Sequence, residues 1–503
     1  MRGRTVLVKQ DSVESRTYAT GEERERDRFL GYGVIEADLS DWGLLSLNYE
    51  KTNDRAPLDT GAWLDKNGNV IGNRDMIRDA NWSFIDNDVE NWGADLDIYL
   101  NSQWRANLSY NSQHMERHRY DSSPKPTNTT SADGSYTLNP FDRHDTWKTQ
   151  AFHADLHGEF TALNVDHQVL IGVNGQFYDY QRTYVPGNTI NVNPGDTQTS
   201  PTFELDKMTT SKSDNHYYGF YVQDLITLNE QWQALIGGRY DMYFADGVDA
   251  SKNTLKGAND SNSFSPKAGI IYHPSHNGSI YVNYSESFNP VGIAVNDDDS
   301  ITDRKPEESR QYELGTKWEL MDSSLLLTAA VFDIEKSNIS LKEGGFTTQD
   351  GIQRHIGTEF GAQGQISDKW FVMMSGMYLD ANFDEHNVYK DKAPANVPEW
   401  SGSAWTRYSM TESTAFNIGL FYQGERWADN ANTVKLDDYI RVDTGASHSI
   451  KSDYVDWDFR FNIENLFDTE YVAGTGGSTS NGVVTDVHYG NERRFKFSVN
   501  ATF

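Results

Sequence analysis

The chain has 503 residues and carries 74 acidic against 44 basic side chains, which gives a formal net charge of −30. This excess of acid argues against a nucleic-acid partner, because nucleic-acid-binding surfaces are basic. The absence of cysteine excludes a disulfide-linked scaffold, thiolate metal sites and cysteine nucleophiles.

Hydrophobic residues make up only 37% of the chain, and the mean hydropathy is −0.70. The apolar run 325–332 is among the longest, and it is too short for a membrane-spanning helix. A membrane β-barrel, however, places apolar residues at every second position and therefore has low hydropathy. The aromatic content of 13% fits the aromatic girdles that such barrels carry at both membrane interfaces.

Apolar and polar residues alternate along many segments, with the period of two that a strand requires. Trp92, Leu96 and Leu100 share one face of an early segment, for example, and Arg105 and Asn107 lie on the polar face of the next. The alternation predicts about twenty strands. They lie near residues 3–10, 28–39, 43–50, 91–101, 103–119, 149–162, 164–183, 211–227, 231–244, 261–274, 277–289, 306–321, 323–340, 353–366, 368–381, 397–411, 413–427, 437–450, 454–468 and 492–503.

The connections between these strands alternate between two lengths. Short turns such as 40–42 and 321–323 alternate with long polar segments such as 51–90, 120–148, 184–210 and 471–491. Short periplasmic turns and long extracellular loops are typical of outer-membrane barrels. Strands of roughly 10–18 residues also exceed the usual 5–6 of globular proteins. A large secreted β-protein with an aromatic core is the alternative, since alternation alone fits both.

The last strand gives the same indication. Phe495, Phe497, Val499 and Phe503 fall on one side of residues 492–503, and polar residues fall on the other. The pattern predicts a strand with one face in lipid and one in a polar lumen.

Several segments resemble the TonB-dependent ferric-siderophore receptor family. The closing hairpin of that family is similar to Asn462–Tyr471 (NIENLFDTEY) followed by Tyr489–Phe495 (YGNERRF) and a terminal Phe. Further similar segments, in the family's order, are 31–39 (GYGVIEADL), 237–241 (GGRYD), 281–290 (YVNYSESFNP), 306–317 (PEESRQYELGTK) and 327–338 (LTAAVFDIEKSN).

The resemblance implies an all-β fold, a transmembrane antiparallel β-barrel with about 20 strands present of a 22-strand architecture. We therefore expect residues 1–503 to form one barrel domain, truncated at its N-terminus, without the signal peptide, the plug domain or the first hairpin of the family. The strand near 3–10 would then lack its partner and could not pair normally with 492–503. The inward face carries Arg105, Asp155 and Arg441, so the lumen holds water or packs against a polar plug.

The resemblance further implies an active importer of ferric siderophores in the Gram-negative outer membrane, with no enzymatic activity. The implied partners are the ferric siderophore as transported ligand, the TonB–ExbB–ExbD complex acting through the missing N-terminal part, and surrounding lipid and lipopolysaccharide. We expect a monomer without a cofactor. The alternatives are a passive porin or diffusion channel, and an outer-membrane enzyme or adhesin. The latter requires a converging catalytic set on the rim, which the sequence does not indicate.

Candidate ligand-binding residues are aromatic residues expected inward at the extracellular strand ends. They are Tyr120, Tyr178, Tyr180 and Trp427, the last expected to end the strand that carries inward Phe421, together with Trp63 in the longest loop. The competing interpretation of each is an aromatic that packs in a girdle or a loop.

No metal site is expected. His114 and His118 lie four residues apart on one strand, a separation of about 13 Å that one ion cannot bridge. His153 and His157 lie on one inward face, and a plug contact or a wet lumen accounts for them better.

Overall fold

The structure is a computed structural model of the whole chain. It describes all residues except 14–15, 19–20, 73–75, 128–134, 194–198, 250–253, 259, 292–293, 296–300, 303, 344–345, 478 and 481. No described helix is both long enough and apolar enough to cross a membrane.

Twenty long strands of 9 to 22 residues form one antiparallel sheet in which each pairs with its neighbours in the chain. Their bounds are Arg2–Val13 (β1), Glu25–Asp38 (β2), Gly43–Pro57 (β3), Phe84–Tyr99 (β4), Trp104–Asp121 (β5), Phe141–Ala162 (β6), Val165–Pro186 (β7), Thr209–Thr227 (β8), Trp232–Asp249 (β9), Ser261–Ser275 (β10), Gly278–Asn289 (β11), Glu307–Leu320 (β12), Leu325–Glu343 (β13), Phe346–Ser367 (β14), Trp370–Glu385 (β15), Trp400–Ser409 (β16), Thr414–Gln423 (β17), Tyr439–Ile450 (β18), Asp456–Glu464 (β19) and Arg494–Thr502 (β20).

Every strand predicted from alternation is present, so the expected all-β fold is confirmed. Some strands extend beyond their predicted bounds at the loop end. The strand predicted at 91–101, for example, begins at Phe84, because Asp88 and Glu90 pair with Lys51 on the neighbouring strand. Opposite charges on facing strands thus extend the ladder into sequence that carries no apolar alternation.

All the short turns lie at one end of the sheet, which we call the turn end. They include Ser40–Trp42, a short 3₁₀ segment, and 100–103, 163–164, 228–231, 276–277, 321–324, 368–369, 410–413 and 451–455. The opposite, loop end carries connections of up to 29 residues, between Glu464 and Arg494. The β13–β14 connection is the exception, since those two strands continue to Glu343 and from Phe346.

The two faces of the sheet differ as the alternation predicts. Outward positions expose large apolar side chains, among them Phe495, Val282 and Ile236. On the other face, Tyr221 donates to Asp155, and Arg239 donates to Asn174 (2.7 Å). An exposed apolar face with a polar face behind it fits a wall between lipid and an aqueous lumen.

The sheet curls round so that the loop between β3 and β4 meets the loop between β19 and β20. Residues Ala62–Leu64, between β3 and β4, pair with residues Val483–Tyr489, between β19 and β20. Among the described residues β1 nevertheless pairs only with β2, and β20 only with β19. The expected lack of a normal ladder between residues 3–10 and 492–503 is therefore confirmed.

Short strands that the sequence did not predict lie in the loops at the loop end, where a subset of them packs together into a cap. They are Thr17–Tyr18, Ala62–Leu64, Met76–Ile77, Pro124–Pro126, Tyr136–Leu138, Ile190–Val192, Thr254–Ala258, Ala294–Val295, Ile301–Thr302, Arg426–Trp427, Lys435–Leu436, Val472–Thr475, Thr479–Ser480 and Val483–Tyr489, with a 3₁₀ segment at Leu205–Lys207. Thr254–Ala258 pairs with β9, as a twenty-first strand of the main sheet.

The cap has two small apolar cores on either side of Ala62–Leu64. One contains Ala62, Leu64, Ala428, Val434, Leu436, Val484 and Val487, and the other contains Trp63, Ala80, Tyr136, Leu138, Val192 and Val483. Because successive strand residues point to opposite faces, one three-residue strand fills both cores. Loops from distant parts of the chain are thereby fixed over the lumen.

Candidate ligand-binding site

The first inward cluster near the loop end surrounds Asp145 on β6. The Tyr180 hydroxyl donates to Asp145 Oδ1 (2.6 Å), and the Arg143 guanidinium donates to Asp145 (2.9 Å) and to the Tyr180 hydroxyl (3.1 Å). The Tyr180 ring stacks on Trp147 at 5.2 Å, directly opposite it in the ladder. Tyr178 lies two residues along the same inward face.

The charged groups of this cluster are already paired with each other. The side chain of Asp145 is fully buried, and its negative charge is matched by Arg143. A ligand would therefore meet the edges of Tyr178 and Tyr180 rather than a free charge. The inward orientation expected for both tyrosines is confirmed by the register of β6 and β7.

The second inward cluster, which we call the arginine–aromatic cluster, consists of Phe421, Arg426, Tyr439, Arg441 and Tyr471. Phe421 and Arg441 face each other across the β17–β18 ladder, with the guanidinium carbon 4.4 Å from the ring centre. Tyr439 stacks on Tyr471 at 4.1 Å, and Arg426 lies 5.8 Å from the Tyr439 ring. The cluster thus combines two cations with three aromatic faces.

Arg426 has unused donors. Its side chain is only 2% exposed, and Nη2 donates to the backbone oxygen of Val472, whereas Nε and Nη1 have no hydrogen-bond partner. Burial lowers the pKa of its guanidinium, because removal from water disfavours the charged form. An anion that reached these donors would remove part of that desolvation cost.

Arg441 is more accessible and borders open space. It donates to Asp443 (3.0 Å), and its Nε has no partner. A cavity of about 620 Å³ lies beside it, lined also by Gln423, Tyr439, Ser401 and Glu359. The cavity offers a cation, a carboxylate, an amide, hydroxyls and aromatic faces to a bulky polar ligand.

Two of the predicted site residues lie elsewhere than expected. Strand β17 ends at Gln423, so Trp427 does not end that strand. It lies in the separate loop strand Arg426–Trp427, paired with Lys435–Leu436. The strand ends there because residues 424–438 turn back into the cap, where Ala428 and Val434 are buried.

Tyr120 is the second correction. The β5 ladders run without a bulge, so Tyr120 shares a face with Leu108, which is outward and exposed. Its ring stacks on Phe84 at 5.8 Å and packs against Trp82 and Phe203. The expected inward orientation is wrong, because the two-residue period carries it to the outer side.

Trp63 is 2% exposed in one core of the cap. Its ring meets Tyr136 edge-on at 6.0 Å, and the Arg78 guanidinium lies over it at 4.2 Å. A ligand could reach this ring only if the cap opened. Ligand contact by the five residues stays a prediction.

The arginine–aromatic cluster cannot be recognised from the sequence alone. The alternation predicts that Phe421 and Arg441 lie on inward faces, but their contact depends on the register between β17 and β18. Tyr471 and Arg426 join the cluster from loops, which carry no periodic signal.

Known proteins share this architecture. Residues 32–466 match the family model described as TonB dependent receptor-like, beta-barrel. The chain is 30% identical over 276 residues to the probable TonB-dependent siderophore receptor PiuA of Acinetobacter baumannii, covering 50% of this chain and 36% of that protein. It is 27% identical over 491 residues to the metal-pseudopaline receptor CntO of Pseudomonas aeruginosa, covering 92% of this chain and 67% of that protein.

Solved structures share the fold. The crystal structure of the siderophore receptor PiuA from Acinetobacter baumannii superposes with a TM-score of 0.85 at 20% identity, covering 99% of this chain and 76% of that one. A Pseudomonas aeruginosa FpvA–pyoverdine–iron complex gives 0.81 at 20% identity, covering 99% and 67%. The chain spans only about a third of the length of the PiuA sequence that it matches.

Proposed function

The chain belongs to the TonB-dependent receptor-like β-barrel family, and from that premise we propose that it serves in the import of ferric siderophores across the outer membrane. Among this chain's own residues, the arginine–aromatic cluster is the observation that supports the proposal. It sets two guanidinium groups among aromatic rings on the inward face near the loop end. A passive porin is not favoured, because the matching proteins are named as receptors and transporters.

The ligand chemistry fits the cluster. A ferric siderophore already saturates its iron, so the receptor recognises the outer surface of the chelate and supplies no iron ligands. Anionic chelate oxygens can accept from Arg441, and from the buried Arg426 once the cap opens, and the flat faces of Phe421 and Tyr439 can pack on the organic parts of the chelate. Tyr178 and Tyr180 offer further ring edges on the same inward face.

The remaining parts of the proposal follow from family membership. Transport is energised by the TonB–ExbB–ExbD complex, and the chain works as a monomer in the outer membrane. Lipid surrounds the apolar outer face, and lipopolysaccharide surrounds the charged belt above it. That belt contains outward ion pairs such as Lys9 with Asp27 and Arg55 with Asp86 (3.1 Å). The protein carries out no catalysis, and the chelate is cargo rather than cofactor.

The test is ligand binding by the purified full chain in detergent. Ferric hydroxamate and ferric catecholate chelates are titrated separately, and quenching of tryptophan fluorescence is followed. We expect saturable binding of at least one of them. Arg441→Gln and Arg426→Gln each weaken it about tenfold or more, because hydrogen bonds to a charged group contribute roughly 1.5–3 kcal/mol.

Arg105→Gln is the matched control, since Arg105 also lies on the inward face but next to the short turn 100–103. Its affinity should equal that of the unchanged chain. The proposal fails if no chelate binds the folded chain, or if Arg105→Gln weakens binding as much as Arg441→Gln.

A further inference from the structure

Two histidines face each other on the outer wall of the barrel. His118 on β5 and His144 on β6 are direct partners in the ladder. His118 lies an even number of residues from outward Leu108, and His144 from outward Phe160, so both rings point away from the lumen. The pair is therefore separate from the proposed ligand-binding site.

A carboxylate completes the group. Asp142 lies two residues before His144 on the same face of β6. Its Oδ1 is 2.8 Å from His118 Nε2 and 3.5 Å from His144 Nε2, and one potential ligand atom from each residue lies within 4.8 Å of the others. The two distances from Asp142 lie on either side of the roughly 3.4 Å that bonds of about 2.0–2.1 Å produce around a tetrahedral metal ion.

The surroundings hold this geometry. The two imidazole rings stack at 4.0 Å with an interplanar angle of 16°, and Phe84 packs edge-on against His118 at 5.0 Å. The β5–β6 ladder continues through 18 paired positions without a register shift. A site on paired strands holds its ligands with more precision than a loop does.

We propose that His118, His144 and Asp142 form a binding site for a late first-row divalent metal ion of the Zn²⁺ class. Two imidazoles and one carboxylate suit Zn²⁺, Ni²⁺ or Cu²⁺, whereas Mg²⁺ and Ca²⁺ require oxygen ligands. Three protein ligands leave one tetrahedral position for water or another oxygen donor. The ion binds on the extracellular part of the outer wall, outside the transport path.

This site could not be predicted from the sequence alone. His114 and His118 on one strand are too far apart to share an ion, and the sequence does not give the register that brings His144 opposite His118. The metal-binding partner thus lies across the ladder.

Isothermal titration of the full chain, purified without a histidine tag, with Zn²⁺ tests the site. We expect one zinc ion to bind per chain. Excess Mg²⁺ or Ca²⁺ should not change the dissociation constant for zinc. His118→Ala, His144→Ala and Asp142→Asn each lower the affinity at least tenfold, since loss of an outer-shell partner alone costs roughly 10- to 100-fold. With Cu²⁺, electron paramagnetic resonance should show coupling to two imidazole nitrogens.

His114→Ala is the matched control, because His114 lies on the same face of β5 and contacts Glu116 instead (3.2 Å). It should bind zinc like the unchanged chain. Each variant is first compared with the unchanged chain for heat-dependent migration on gels, and His118→Gln replaces His118→Ala if that variant misfolds. Equal zinc binding by the folded His118 and His144 variants, or an equal loss in His114→Ala, would overturn the assignment.

Discussion

At the scale of single residues, burial decides what charged groups can do. Arg426 and Asp79 both lie in loops, and both are almost completely buried. The donors of Arg426 are incompletely used, whereas Asp79 accepts from the Thr60 backbone nitrogen (2.8 Å), the Thr60 hydroxyl (2.8 Å) and the Ser122 hydroxyl (3.0 Å). The first residue is suited to a ligand, and the second fastens two loops together.

Asp79 makes the cap sensitive to pH. Burial raises the pKa of its carboxyl to about 6, and its hydrogen bonds only partly oppose that shift. A folded-state pKa above the unfolded value means that the folded cap favours the protonated acid. Its stability is therefore highest below pH 3.8 and falls as pH rises through about 6.

We predict that the cap is less protected from proteolysis at pH 7.5 than at pH 5, by roughly 1–1.5 kcal/mol, because the rest of the loss caused by ionisation has already occurred below pH 5. Asp79→Asn should remove this difference, because the amide cannot ionise. Limited proteolysis at both pH values, with a protease active at each, measures it. Asp41→Asn, in the exposed turn at the other end, should leave the difference unchanged. Equal protection of the unaltered chain at the two pH values would refute the prediction.

At the scale of elements, strand positions follow from the sequence better than loops do. A period of two reports only which side of a strand meets lipid, and that constraint acts locally on each strand. All twenty long strands could therefore be predicted. The positions at which the strands stop at the loop end could not be predicted, since the β3–β4 ladder is extended by cross-strand pairs such as Lys51 with Glu90 (2.9 Å).

The cap and the candidate site could not be predicted from the sequence, because both are built from contacts between distant parts of the chain. Contacts such as Ala62 with Val487 join residues more than 400 positions apart, and no local pattern encodes them. The contact of Arg441 with Tyr471, which connects β18 to the final long loop, is likewise encoded by no local pattern. Inward faces could be assigned residue by residue, but not which inward residues meet.

One glycine near the turn end is required by its backbone. Gly364 on β14 has a φ of +144°, and a Cβ there would overlap the Ser324 carbonyl oxygen and lie 2.7 Å from Cα of Leu325. We predict that Gly364→Ala destabilises the barrel by about 1–3 kcal/mol, because neighbouring backbone cannot move aside cheaply. Urea unfolding followed by gel migration measures the change.

Gly33→Ala on β2 is the control, because a Cβ there meets nothing within 4 Å. It should unfold at the same urea concentration as the unchanged chain. Equal effects of the two substitutions would show that the close approach at Gly364 does not matter.

At the scale of the whole molecule, the sheet separates two environments. Its outward face exposes apolar residues such as Phe220 and Val222, and its inward face holds hydrogen-bonded networks such as Tyr217 with Arg239 (2.9 Å). The cap joins the β3–β4 loop to the β19–β20 loop, while in the described part of the chain β1 and β20 each have one edge without a ladder partner. The proposed ligand-binding site and transport role both require this separation of faces.

Single-cysteine spin labelling in lipid bilayers tests that separation most directly, because the natural chain contains no cysteine. Labels are placed in turn at positions 219 to 223 of β8, and collision with oxygen and with a water-soluble nickel chelate is measured. We predict that positions 220 and 222 favour oxygen and that 219, 221 and 223 favour the chelate. Accessibility that does not alternate along β8, or that alternates in the opposite sense, would contradict the account.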